Sequence, residues 1–432
     1  MTRAALQAWC HSAVTGAVLP FGWHTPAWAE LAVVLPAVLL ASLLAVLLAG
    51  CSGATLPAGQ ALSYTYPVPP DTTFDLRRGE PIAAEQLPAR LAGVRLLFLG
   101  EHHTEPRSHA FQRELLERLA AGGRPLAVAL EMFPPDVDPV LEEWRQGRLD
   151  ELTFLERSDW YGHWGFAWAH YRALFLALRE RHVTLHGVNA TREQREAVRA
   201  GKTAELPADV RALLGDVEAT VPPHETYLLQ TLRDVGHGGD LRPDSDGFRR
   251  FYRVQRLWDR LMGVRAALLA ERQPPDGLTV LLVGSGHLAW GLGANLQALR
   301  ESALPQLSMW DALVTPDALD AQGRYPVALG MADWVRVYAR AGDPPDYPTL
   351  SALRLEPEVE GVRVRAVHAF GGSELKALQP DDLILGLNGA PPRSPTALRL
   401  AYEGLPFDRP ARFTVRRGGK PMDVEVTPRD RG

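Results

Sequence analysis

Apolar residues fall in two patterns along this chain. Between residues 94 and 287 they come as short apolar-rich runs, the first of them continuous: VRLLFLG (Val94–Gly100), LAVALEMF (Leu126–Phe133), VTLHGVNA (Val183–Ala190) and LTVLLVGSGH (Leu278–His287). Runs of this length, two of them closed by glycine, predict parallel strands buried on both faces. Between them the apolar spacing turns helical. Phe111, Leu115, Leu116 and Leu119 share one face of residues 107–121. Helical patterns also cover 137–157, 164–181, most of 192–272 around a Gly/Asp/Pro-rich loop at 236–247, and 291–300. The alternation predicts an α/β domain over 86–342, a mostly parallel sheet with flanking helices and a helical insertion before the fourth strand. After the tract AGDPPDYPTL (341–350) the pattern changes to short alternating strands, which predicts a small mainly-β domain over 350–432.

The amino terminus follows neither pattern. From Leu31 to Gly50 no charge interrupts an apolar run, long enough to span a bilayer. It ends in Leu48-Ala49-Gly50-Cys51, which resembles a bacterial lipobox. That resemblance implies a leader over 1–50, lipidation of Cys51 and membrane attachment by acyl chains. An uncleaved transmembrane anchor is the other reading, since only Arg3 lends charge before Glu30. Both place the body in the cell envelope, on the outer membrane or an extracytoplasmic membrane face. Residues 51–85 are rich in Pro, Ser, Thr and Ala, as an extended tether would be.

Composition narrows the chemistry. A net charge of -5 offers no basic footprint for nucleic acid. Cys10 and Cys51 are the two cysteines, which excludes a disulfide framework and a thiolate zinc site in the folded part. A metal would need imidazole, carboxylate or phenolate donors. Such groups cluster at the predicted strand ends: Glu101 and His103 after the first strand, Glu131 in the second, and His287 after the fourth. Carboxyl ends of parallel strands share one edge of a sheet, so these distant residues are expected in one crevice. Together they would suit a divalent metal ion, although any one of them alone reads equally as a helix cap or surface group.

The stretch SDWYGHWGFAWAHYRALF adds an aromatic stripe, Trp164, Trp168, Tyr171 and Phe175, at helical spacing. Such a stripe is either core or the wall of a flat macrocycle. Under the second reading Tyr161, His163, His170 and Tyr171 are candidate axial ligands. His182, His186, His224, His237 and His368 fall in no pattern and read as structural or exposed.

Gly100-Glu101-His102-His103, with His109 six residues on, resembles the opening motif of the ChaN-type haem/iron-binding branch of the Tiki superfamily. Gly284–His287 resembles the paired motif of the wider group. Asp159-Trp160, Trp164-Gly165, Trp168, Tyr171-Arg172, Val188-Asn189, and Asp259 with Met262 extend the likeness over about 90–340. The resemblance implies haem as cofactor, held by His103, His109, Trp164, Tyr171, Asn189 and His287, and leaves room for a homodimer sharing it. Tiki relatives imply the alternative, a metal-dependent hydrolase with Glu101, His103, Glu131 and His287 on a divalent ion and Glu101 and His103 catalytic. The segment from Gly361 to Val426, above all LQPDDLILGLNG (378–389), resembles a bacterial PDZ domain. This implies a protein C-terminal peptide as partner, its carboxylate received near Glu360, Gly361 and Val362.

Overall fold

The computed structural model describes residues 64–215, 221–234, 242–340, 347–368 and 374–428. The proposed leader and Cys51 lie outside the described residues. Among the described residues fifteen strands form three sheets. The largest has eight strands in the order β3-β2-β10-β8-β4-β7-β5-β6. Its members are β2 (Thr73–Asp75), β3 (Glu80–Ile82), β4 (Leu96–Glu101), β5 (Leu126–Leu130), β6 (Thr184–Gly187), β7 (Leu278–Gly284), β8 (Gln306–Val314) and β10 (Trp334–Ala339). The six strands from β10 to β6 run parallel, and β2 and β3 close one edge antiparallel. β1 (Thr65–Val68) pairs separately with β9 (Tyr325–Ala328).

The apolar runs become β4, β5 and β7, buried on both faces between helices, and β6, an edge strand whose burial alternates. Helix Pro106–Ala121 and helix Trp168–Glu180 join one core with the sheet, and Asp246–Arg272 joins another. Arg95 donates to the carbonyls of Ala270, Gln273 and Gly277, so a cation closes the carboxyl end of that long helix beside β7.

Two expectations need correction. Of the stretch read as a tether, residues 65–82 contribute β1, β2 and β3, because their alternating Val68, Phe74, Leu76 and Ile82 are buried. The composition that suggests a linker is that of an edge, where Pro and turn residues are tolerated. The helix expected from residue 164 begins at Trp168, since Gly165 has φ +83° and breaks it. Trp168, Tyr171 and Phe175 are completely buried and join Trp144, Phe154 and Trp160 in the core, whereas Trp164 stays partly exposed outside the helix. Most of the stripe is therefore core. The buried indoles of Trp144, Trp160 and Trp168 donate to the Phe175 and Phe166 carbonyls and to Glu151.

The third sheet is antiparallel, in the order β11 (Leu353–Glu358), β12 (Gly361–Val367), β13 (Leu383–Leu387), β14 (Ala411–Arg417), β15 (Lys420–Val426). Helix Pro395–Glu403 covers it, and Tyr402, Val362, Val364, Ile384 and Phe413 form its core.

Candidate functional site at the strand ends

β7 lies between β4 and β5, and all three are parallel, so their carboxyl ends meet at one edge. Glu101 is the last residue of β4, Glu131 follows β5, and His287 follows β7 by three residues. The β7 terminus brings them together. Gly284 donates its N–H to Glu131 Oε2 at 2.6 Å. A Cβ on Gly284 would stand 2.9 Å from His103 Cε1 and 3.6 Å from Glu131 Oε2, so the glycine makes room for the imidazole.

Two imidazole–carboxylate clusters result. In the first, Glu101 Oε1 accepts from His103 Nδ1 at 2.9 Å and from the Tyr171 hydroxyl at 2.6 Å, while Oε2 accepts from Gln112 at 2.9 Å. Burial pushes the Glu101 carboxyl up, but the His103 hydrogen bond, the charges of His109 and His103 and the Tyr171 hydroxyl together bring it down to about 2. His103 itself is pushed down by burial and, more strongly, up by Glu101 and Glu131. In the second cluster His287 Nδ1 donates to Asp259 Oδ1 at 2.6 Å and Nε2 faces Glu131 Oε1 at 3.4 Å. Burial opposes its charge, yet Asp259 and Glu131 raise it to about 9. At neutral pH His287 is an imidazolium between two carboxylates.

Glu101 and Glu131 thus serve different imidazoles. Among the described residues, no three His, Cys, Asp or Glu side chains form a group that could hold a metal ion. The expected set of Glu101, His103, Glu131 and His287 shares a crevice but is divided between two clusters.

The other expected haem contacts separate by exposure. Tyr171 is completely buried, and burial together with Glu101 raises its phenol well above the ordinary range, so it donates a proton bond rather than a phenolate. His109 is buried, with Nε2 bonded to the His103 carbonyl at 3.0 Å and Nδ1 near Gln112, so it props the loop. Asn189 donates to the Glu131 carbonyl at 2.7 Å and fixes the β5 terminus. Trp164 and Phe166 are different. Both are partly exposed and their rings lie 4.8 and 4.7 Å from the His103 ring. His103 has 29% of its side chain exposed, and among the described residues no hydrogen bond engages its Nε2.

Sequence reasoning missed Gln112, Phe166 and His224. Gln112 stands three residues after His109 on one helix face, a spacing that could have flagged it. His224, read as structural or exposed, is buried with Nε2 3.5 Å from Asp259 Oδ2. No local pattern announces that approach.

In the C-terminal sheet the expected carboxylate-receiving residues are misplaced. Glu360 lies in the β11–β12 turn, and β12 is held between β11 and β13. Val362 is buried, and a Cβ on Gly361 would stand 2.2 Å from the Ile384 carbonyl oxygen. Among the described residues, neither edge of β12 is open. Among the described residues the outer edge of β11 has no strand neighbour, and a cavity of about 670 Å3 lies beside it, lined by Leu353, Leu355, Arg399, Tyr161 and Arg192.

Residues 87–297 match the family described as haem-binding uptake, Tiki superfamily, ChaN. Among solved structures, ChaN of Campylobacter jejuni in cofacial haem binding is 18% identical, with a TM-score of 0.47 over 61% of this chain and 95% of that one. A mutant of the erythromycin esterase EreC in its open conformation is 13% identical, with a TM-score of 0.38 over 63% of this chain and 99% of that one. No curated protein matches the sequence.

Proposed function

We propose that this chain, with its ChaN-type Tiki-superfamily segment, captures haem or its iron in the crevice at the ends of β4, β5 and β7. One observation carries the reading. Among the described residues His103 Nε2 has no hydrogen-bond partner while Glu101 holds Nδ1, and the partly exposed Trp164 and Phe166 rings stand beside it. A carboxylate behind one imidazole nitrogen orients the ring and makes the other a better iron ligand, and aromatic side chains suit a flat apolar macrocycle. These residues fit a haem. His103 is the candidate ligand, Glu101 orients it, Trp164 and Phe166 supply apolar contact, and Gly284 leaves the ring its place. Bound haem would supply an iron centre. The protein's own part is to fix the imidazole through Nδ1, so that Nε2 is the nitrogen left for iron, and to keep Glu101 ionised behind it. Titration of the full chain with hemin should give a Soret band that His103→Ala abolishes or shifts. An unchanged band in that variant removes the reading.

The same reading places the protein in the envelope, attached through lipid on Cys51, with a PDZ-like C-terminal module that takes a peptide. The β11 edge beside helix Pro395–Glu403, unpaired among the described residues, supports strand addition there. Metabolic labelling with a fatty acid, lost in Cys51→Ser, tests the attachment.

A further inference from the structure

Six large apolar side chains stand exposed among the described residues, and four of them, Tyr64, Trp290, Leu299 and Leu329, belong to one region. Leu329 donates its N–H to the Tyr64 carbonyl at 2.9 Å, and Trp290 donates to the Met331 carbonyl at 2.9 Å. The Trp290 ring lies 3.6 Å from where a Cβ on Gly330 would be. Gly291, next to Trp290, lines a cavity of about 390 Å3 together with Leu299, Leu296, Leu304, Phe98 and Arg77. The Tyr64 and Tyr66 rings are 5.2 Å apart, and Tyr66 rests on Gly79, which closes the turn carrying Arg77 and Arg78. Those two arginines are 69% and 65% exposed, Arg77 within 2.5 Å of Asp333 and Arg78 3.8 Å from Asp75.

Trp290 is held with φ +60°, a left-handed conformation unusual for a bulky residue, and keeps 43% of its surface exposed. An exposed apolar group of this kind marks a contact surface. Its composition says which one. Tryptophan and tyrosine with an apolar body and a polar tip, flanked by leucine and by arginine, suit the boundary between acyl chains and anionic headgroups. Chain connectivity agrees. Tyr64 stands thirteen residues after Cys51 and the uncharged run that precedes it. At about 3.3–3.6 Å per residue, that segment reaches at most about 45 Å.

We propose that Tyr64, Trp290, Leu299 and Leu329, with Arg77 and Arg78 at their margin, dock on an anionic lipid surface. The proposal rests on the envelope-attachment reading and adds the face that meets the membrane. The test uses the full chain reconstituted in phosphatidylethanolamine–phosphatidylglycerol vesicles with brominated acyl chains, which quench tryptophan by contact. Wild type should lose a component of emission that Trp290→Phe lacks. Leu299→Trp in that background should restore the quenching. Charge reversal of Arg77 and Arg78 should reduce the quenching to its level in phosphatidylcholine vesicles. A chain that fails to float with vesicles overturns the attachment and the docking together. A chain that floats while wild type and Trp290→Phe quench alike overturns the docking alone. So does a floating chain whose Trp290 instead mediates self-association, or is shielded by a protein, without lipid quenching.

Discussion

Gly284→Ala tests the convergence of strands on which the site depends. Gly284 has φ -54° and ψ 133°, which alanine adopts freely, so any cost must come from contact. The new methyl would stand 2.9 Å from His103 Cε1 and 3.0 Å from Nε2. Ordinary carbon contacts lie at about 3.5–4.0 Å, so the ring must retreat by about 0.5–1 Å. Trp164 and Phe166 flank it, and Glu101 holds Nδ1 at 2.9 Å, so retreat breaks or stretches that bond. A hydrogen bond to a charged group contributes about 1.5–3 kcal/mol, and the stiffer unfolded chain returns about 0.4–1 kcal/mol. The expected loss is about 1–2 kcal/mol, roughly 5- to 30-fold in the folded-to-unfolded ratio. Urea unfolding of the full chain measures this, and hemin titration of the same samples should show a weakened or shifted Soret band. Gly286→Ala is the control, because nothing lies within 4 Å of its Cβ position. If Gly284→Ala matches wild type in both assays, His103 does not sit against β7 and the crevice is wrongly assembled.

Other expectations follow from single groups. Tyr171→Phe should keep the Soret band while losing about 1–3 kcal/mol in urea unfolding, because it removes a buried hydroxyl from Glu101 but leaves Nε2 of His103 untouched; loss of the band would instead make the phenol a ligand. Asp259→Asn should lower the His287 pKa from about 9 towards the ordinary value of about 6.5, read by NMR titration of the imidazole, and an unmoved titration would contradict the ion pair. Asp311 is pushed up to about 8 by burial, against the Ser108 hydroxyl and Arg336. The native state therefore holds a proton that the unfolded chain releases near pH ~4, and stability falls as pH rises from about 4 to about 8. Asp311→Asn should flatten that slope and be the more stable protein at about pH 8; urea midpoints that run parallel across this range would refute it.

Local order is written in this chain where each segment decides its own geometry. Unbroken apolar runs mark β4, β5 and β7 because a strand buried on both faces needs no polar side. Terminal glycine and the Glu, His and carboxylate positions beside it are also visible, which is how Glu101, His103, Glu131 and His287 could be named. β1 to β3 were hidden by Pro-rich composition, and Trp164 was assigned to a helix that Gly165 prevents. What only the tertiary structure decided is the placing of β7 between β4 and β5, reached by a crossover that leaves no trace in periodicity. That order sets which carboxylate faces which imidazole, giving His103 to Glu101, and His287 to Asp259 and Glu131. Burial then decided the rest. Tyr171 and His103 look equally able to bind iron in the sequence, but whether a side chain meets solvent or core depends on neighbours tens or hundreds of residues away.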